Sequence, residues 1–175
     1  AYDYSAGKIV VDNGIGDEGI EPLRAVAAAF EDVSIEMYPF ERAYAVHLTE
    51  KTHHHFTSQS IPFESVDDPA EAPRPWAKVM IGGTPERIAQ VQDFLRGYPQ
   101  IRFLPTTGGF LEVLAKGVDK GTALLQLADA LGVKHEDVYA VGDGYNDVEM
   151  LRAAALAFVP ANGDPFALAC ADEVV

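Results

Sequence analysis

The sequence predicts an α/β protein whose architecture changes near residues 110–115. Two observations carry this. Beyond Val118 the segments 120–131, 138–142, 147–155 and 156–159 alternate as helix, strand, helix, strand, which is the pattern of a parallel sheet. Before that point, short strand patterns alternate with helices in an arrangement that reads as antiparallel α+β. We therefore expect an α+β domain over residues 1–112. Residues 113–175 are expected to form the C-terminal part of a Rossmann-like core.

Residues 8–11 read as a strand. A helix is expected from Glu21 to Glu31, with Pro22 in its first turn and Leu23, Val26, Ala27 and Phe30 on one face. Ser34–Tyr38 and Ala43–Thr49 are strand candidates joined through Pro39; the second alternates in part, with Tyr44, Val46 and Leu48 on one side. Residues 62–75 are rich in proline and acids and predict a loop or irregular edge. Lys78–Ile81 is a strand, Gly82-Gly83 its turn, and Thr84 caps a helix from Pro85 to Arg96. Ile101–Leu104 and Phe110–Ala115 are expected to pair as a hairpin around Gly108-Gly109. The core segment, on its own, would leave an apolar sheet edge uncovered.

The most informative stretch is Tyr-Ala-Val-Gly-Asp-Gly-Tyr-Asn-Asp at 139–147. An apolar strand runs straight into a glycine-flanked turn and sets Asp143 and Asp147 four residues apart. Carboxylates gathered at a strand's carboxyl end suit a hard cation such as Mg²⁺, in the crevice where open α/β sheets bind ligands. The competing reading is an acidic surface loop in which Asn146 or Asp147 caps the next helix. A second element is Val118-Asp119-Lys120-Gly121-Thr122. Asp119 is a good N-cap and leaves Lys120 in the first turn, where backbone N–H groups and the ammonium would converge on an anion. A solvated surface lysine is the alternative.

FLEVLAKGVDKGTAL at 110–124, followed by VYAVGDGYNDVEMLRAA at 138–154, resembles the haloacid dehalogenase-like hydrolases. Within that superfamily it is similar to the Cof-type branch, mostly sugar-phosphate and small phosphate-ester phosphatases. The resemblance implies a Rossmann-like core with an α+β cap, here residues 113–175 and 1–112. It implies that Lys120 is catalytic and binds the substrate phosphate, that Asp143 is the Mg²⁺ ligand, and that Asn146 contacts the phosphate. Asp147 would act in catalysis by holding the metal shell from its second layer. The implied chemistry is phosphoryl transfer to an aspartate followed by hydrolysis.

One departure stands out. The family's first motif is a strand ending in D-x-D, supplying nucleophile and acid/base, and no D-x-D occurs in these 175 residues. The second motif is not evident either. We read the chain as a fragment, or as one with segments left out, so that on its own it is incomplete and inactive. Asp12, after the apolar Lys8–Val11, is a degenerate candidate nucleophile, with Thr84 as the second motif. Gly14 stands where the acid/base belongs, and a turn before Asn13-Gly14 is the better reading.

Thirteen Lys plus Arg against 27 Asp plus Glu give a net charge of −14. This argues against nucleic acid and against anionic membrane surfaces. A single cysteine, Cys170, suits a reducing cytoplasm, and no apolar run reaches membrane-spanning length. His53-His54-His55 invites a metal reading, but adjacent strand residues point to opposite faces; we expect a partly exposed loop, with an alternative in which a histidine meets a sugar hydroxyl or the phosphate. The function expected is a Mg²⁺-dependent phosphatase acting on a small phosphorylated metabolite. A phosphosugar mutase of the same superfamily, or a non-catalytic fragment binding a phosphate ligand or partner, are the alternatives. Substrate identity and oligomeric state are not legible.

Overall fold

The computed structural model describes residues 1–3, 5–106 and 109–175. They form two compact units, residues 13–117 and residues 1–12 with 118–175. These units differ from the division predicted by the sequence in two places. The first twelve residues group with the C-terminal segment, because a short strand pattern carries no record of its tertiary partner. Residues 113–117 stay with the preceding unit, because their strand continues to Ala115, paired with Ile101.

The elements in chain order are β1 (Tyr2–Asp3), β2 (Lys8–Ile9), α1 (Ile20–Ala29), β3 (Ser34–Tyr38), β4 (Ala43–Val46), α2 (Glu50–Ser58), β5 (Phe63–Ser65), β6 (Lys78–Gly82), α3 (Pro85–Leu95), β7 (Ile101–Thr106) and β8 (Phe110–Ala115). They continue as α4 (Lys120–Leu131), β9 (Tyr139–Val141), α5 (Val148–Ala153), β10 (Leu156–Val159), α6 (Pro165–Leu168) and β11 (Glu173–Val174).

In the 13–117 unit six strands form one sheet, ordered β5-β4-β3-β6-β8-β7. Every pairing is antiparallel except β4 with β5. Successive side chains point to opposite faces. Ile35, Met37, Val79, Ile81, Leu111 and Val113 therefore share one face, and they join Leu23 and Val26 of α1 and Ile88, Val91 and Leu95 of α3 in the main core. The opposite face carries a smaller cluster in which Ala43 and Ala45 of β4 receive Phe56 of α2. Thr84 caps α3 by accepting from the Arg87 N–H, with Pro85 in the first turn.

Two expectations for this unit are corrected. The histidine run is helical, not a loop: it lies in α2, whose N-cap Thr49 accepts from the Thr52 N–H. A polar helix with a single buried aromatic gives almost no apolar periodicity; its cap and Phe56 hold it. The 62–75 segment is not wholly irregular, since β5 and a short 3₁₀ turn at Pro69–Glu71 interrupt it. Of the expected Gly108-Gly109 hairpin tip, Gly108 lies outside the described residues.

In the other unit β11, β10 and β9 form a parallel three-stranded sheet in that order. Ala140, Leu151, Ala157, Val159 and Ala167 make its core, with Leu124 of α4 packed against them. β9 is the edge strand of this sheet, and its outward residues Tyr139 and Val141 are 64% and 67% exposed. β1 pairs with β2 as an antiparallel hairpin. Among the described residues, no helix is long and apolar enough to cross a membrane.

Candidate active site

The segment after β9 turns through Gly142-Asp143-Gly144, makes a 3₁₀ turn over Tyr145–Asp147 and enters α5. Asp147 stands at the N-cap position of α5 but does not cap it. Its carboxylate turns back into the loop, where Oδ2 accepts the backbone N–H groups of Asp143 and Gly144, each at 3.1 Å. Oδ1 lies 2.5 Å from Lys120 Nζ. The residue is 6% exposed. Burial opposes its charged form, but the hydrogen bonds from Lys120 and the two backbone N–H groups outweigh it and hold the carboxyl below its ordinary range.

Two glycines permit this geometry by close approach. A Cβ on Gly142 would lie 2.6 Å from Asp147 Cβ, so the loop can close over the carboxylate only without a side chain there. A Cβ on Gly121 would lie 2.4 Å from the Glu149 carbonyl oxygen. The first turn of α4 thus rests on the backbone of α5, and this brings Lys120 to Asp147. Asp119 caps α4 in a reciprocal capping box with Thr122. From the other side, the Asp164 N–H donates to the Asp143 carbonyl at 2.8 Å, which ties the loop to the N-terminus of α6.

The structure therefore joins Lys120 to Asp147 and Asp147 to the backbone of Asp143. The Asp143 and Asn146 side chains are exposed beside this clamp. The sequence reading gives Gly142 a tight turn and a close approach to a phosphate, whereas its close neighbour in the structure is Asp147; it missed the supports Gly121 and Asp164. The one available signal was a glycine in the first turn of a helix, where it is unfavourable unless something packs close.

A hard cation such as Mg²⁺ takes oxygen ligands and is commonly held by one or two carboxylates, with phosphate oxygens and waters completing the shell. Asp143 fits as a direct ligand, its carboxylate exposed at the carboxyl end of β9. Asp147, spent on Lys120 and two N–H groups, fits an outer position. No group of three His, Cys, Asp or Glu side chains gathers for a metal among the described residues.

Known proteins share the family and the fold of this chain. The family described as haloacid dehalogenase-like hydrolase matches residues 1–175. The chain is 39% identical over 90 residues to a phosphoglycolate phosphatase of Methanopyrus kandleri, covering 51% of this chain and 38% of that protein. It is 41% identical over 68 residues to a phosphoglycolate phosphatase of Methanoculleus marisnigri, covering 39% and 29%. The chain thus spans about a third of the length of these relatives. Among solved structures, a haloacid dehalogenase-like hydrolase from Bacteroides thetaiotaomicron superposes with a TM-score of 0.85 at 22% identity, covering 99% of this chain and 66% of that one. The subclass IIB sugar phosphatase BT4131 does so at 0.76 and 21%, covering 97% and 65%. At these identities the structures show the shared fold.

Proposed function

The chain belongs to the haloacid dehalogenase-like hydrolases, and on that premise we propose that it carries the phosphate- and Mg²⁺-handling part of a phosphatase acting on a small phosphorylated metabolite. The observation that supports this most is the clamp itself: Lys120 held on the buried Asp147 beside the exposed Asp143.

In this reading Lys120 Nζ neutralises the charge of the phosphoryl group. Asp147 fixes the ammonium so that it needs no reorganisation as charge develops. The Asn146 amide donates to a phosphate oxygen. Asp143 holds Mg²⁺, which supplies Lewis-acid stabilisation of the transferring group when bound. The nucleophile of this chemistry is a carboxylate that takes the phosphoryl group and is then freed by water, which splits one hard step into two. A D-x-D pair would supply it; none occurs in these 175 residues, so the assays use the full-length polypeptide that carries this chain. The relatives' names, phosphoglycolate phosphatase and sugar phosphatase, favour a small phosphorylated acid or sugar.

The test is steady-state kinetics with Mg²⁺. Lys120→Ala should lower turnover of every phosphate ester by about 10²-fold or more, as expected for loss of one preorganised charge-stabilising group. Asp143→Asn should raise the Mg²⁺ concentration needed for half-maximal rate. Unchanged Mg²⁺ dependence in the Asp143 variant would remove that residue from the metal site.

A further inference from the structure

The loop that carries Asp143 and Asn146 is held by α6 as well as by Lys120 and Asp147. Asp164 caps α6 by accepting the Phe166 N–H at 2.8 Å, and its own N–H donates to the Asp143 carbonyl at 2.8 Å. Ala167 is fully buried in the core of this unit, so the helix is firmly seated and presents its neighbour Phe166 at a fixed place. The Phe166 ring meets the Tyr145 ring edge to face, with centroids 5.4 Å apart and planes at 80°. Tyr145 opens the 3₁₀ turn that ends at Asp147. One short helix thus touches the loop twice, by main chain at Asp143 and by a side chain at Tyr145.

These two rings do little for the core. They are 61% and 62% exposed, and substitutions at such surface positions change folding stability only slightly. What their contact does is local. The Asp147 N–H closes the turn on the Gly144 carbonyl at 3.0 Å, so its residues move together, and a restraint on Tyr145 is a restraint on Asn146. The Asn146 side chain folds back within the same turn: a Cβ built on Gly144 would lie 2.7 Å from Asn146 Oδ1. The amide oxygen therefore rests against Gly144, and the NH₂ group is the end left over, with no hydrogen bond among the described residues. Asp143 is tied by its main chain before the turn, and Asp147 is clamped at its end. Between them, the ring pair is the restraint that bears on Asn146.

We propose that Phe166 is a positioning residue for Asn146, acting through the Tyr145 ring, so that the Asn146 amide stands ordered and ready to donate before an anion arrives. The proposal rests on the phosphatase reading, in which that amide meets a phosphate oxygen. A donor already in place needs no reorganisation when charge develops, which is what the brace supplies. Asp143 keeps its own main-chain tie, so the role of Phe166 is toward the phosphate contact and not toward the metal.

The experiment pairs ¹⁵N relaxation of the Asn146 side-chain amide with steady-state kinetics, both on the full-length polypeptide that carries this chain. In the parent the NH₂ group should be as ordered as the backbone of its turn, and in Phe166→Ala it should lose that order. The same variant should lower kcat/KM for a phosphate ester by about three- to tenfold, the range that one aromatic pair is worth, with the Mg²⁺ requirement unchanged. Tyr145→Ala, which removes the other ring, should match it, and Phe166→Tyr, which keeps the ring edge, should restore the parent values. In an Asn146→Ala background, Phe166→Ala should have no further effect, whereas a general loosening of the unit would add its loss there. Additive losses, an unchanged kcat/KM, or an Asn146 amide equally ordered in Phe166→Ala would overturn the proposal. So would a raised Mg²⁺ requirement, which would place the action of Phe166 on Asp143. If the polypeptide hydrolyses no ester, the phosphatase reading fails, and the amide relaxation still decides whether Phe166 holds Asn146.

Discussion

Replacing Gly121 with alanine sets two effects of opposite sign against each other. Alanine favours the helix over glycine by about 1 kcal/mol. Against this, the new methyl carbon would sit 2.4 Å from the Glu149 carbonyl oxygen and 2.7 Å from its carbon. Those atoms are backbone, so no rotamer change relieves the contact and α4 must lift from α5. Overpacking costs roughly 1–3 kcal/mol, and a backbone obstacle belongs at the upper end. The net loss should be about 2 kcal/mol, or roughly a 30-fold shift in the local folding equilibrium at 1.4 kcal/mol per decade. Trp76, the single tryptophan, is buried in the 13–117 unit, so its fluorescence does not report on α4. Hydrogen exchange read by mass spectrometry does: peptides covering 120–131 and 148–153 should exchange about 30-fold faster, with the urea midpoint of Trp76 fluorescence unchanged. A variant that exchanges more slowly than the parent would show that propensity wins and that the two helices are not in backbone contact.

Other outcomes are expected. The lowered Asp147 pKa means that the folded form binds this proton less readily than the unfolded chain does. Its contribution is present above the unfolded value of about 3.9 and is lost as pH falls through the lower folded value; Asp147→Asn should flatten that part of an acid titration of 120–153 exchange. Phe56 is fully buried and stacks on Phe63 at 4.8 Å, so Phe56→Ala should cost about 3–5 kcal/mol, seen as a lower urea midpoint by Trp76 fluorescence. The polypeptide 1–175, lacking D-x-D, should show no turnover of an aryl phosphate with Mg²⁺. Turnover abolished by Asp12→Asn would make Asp12 the nucleophile.

What was legible in the sequence follows from which forces act locally. The α4 helix and β10 were placed to the residue, because a capping aspartate before one and a short apolar run in the other are short-range signals. Asp143, Asn146 and Asp147 were legible as neighbours because they share one short turn after an apolar strand. The bond from Lys120 to Asp147 spans 27 residues and depends on a helix–helix approach that only Gly121 hinted at. The α2 helix was hidden because its stabilising contacts, Phe56 on Ala43 and Ala45 and His55 on Glu36, are tertiary. Glu36 lies within the predicted strand Ser34–Tyr38, and nothing local says that its face is covered.

The division of the chain bears on the order in which it is made. The 13–117 unit is contiguous, and its six strands pair without waiting for anything downstream. The other unit is interrupted: residues 1–12 are made before the contiguous unit and have to wait for residues 118–175. Holding that gap open costs little, because the entropy of closing a loop grows only with the logarithm of its length, and less still once the intervening residues have folded. Lys120, Asp143, Asn146 and Asp147 all follow the contiguous unit in sequence. A nascent chain therefore holds every strand of the six-stranded sheet before it holds any of these four side chains.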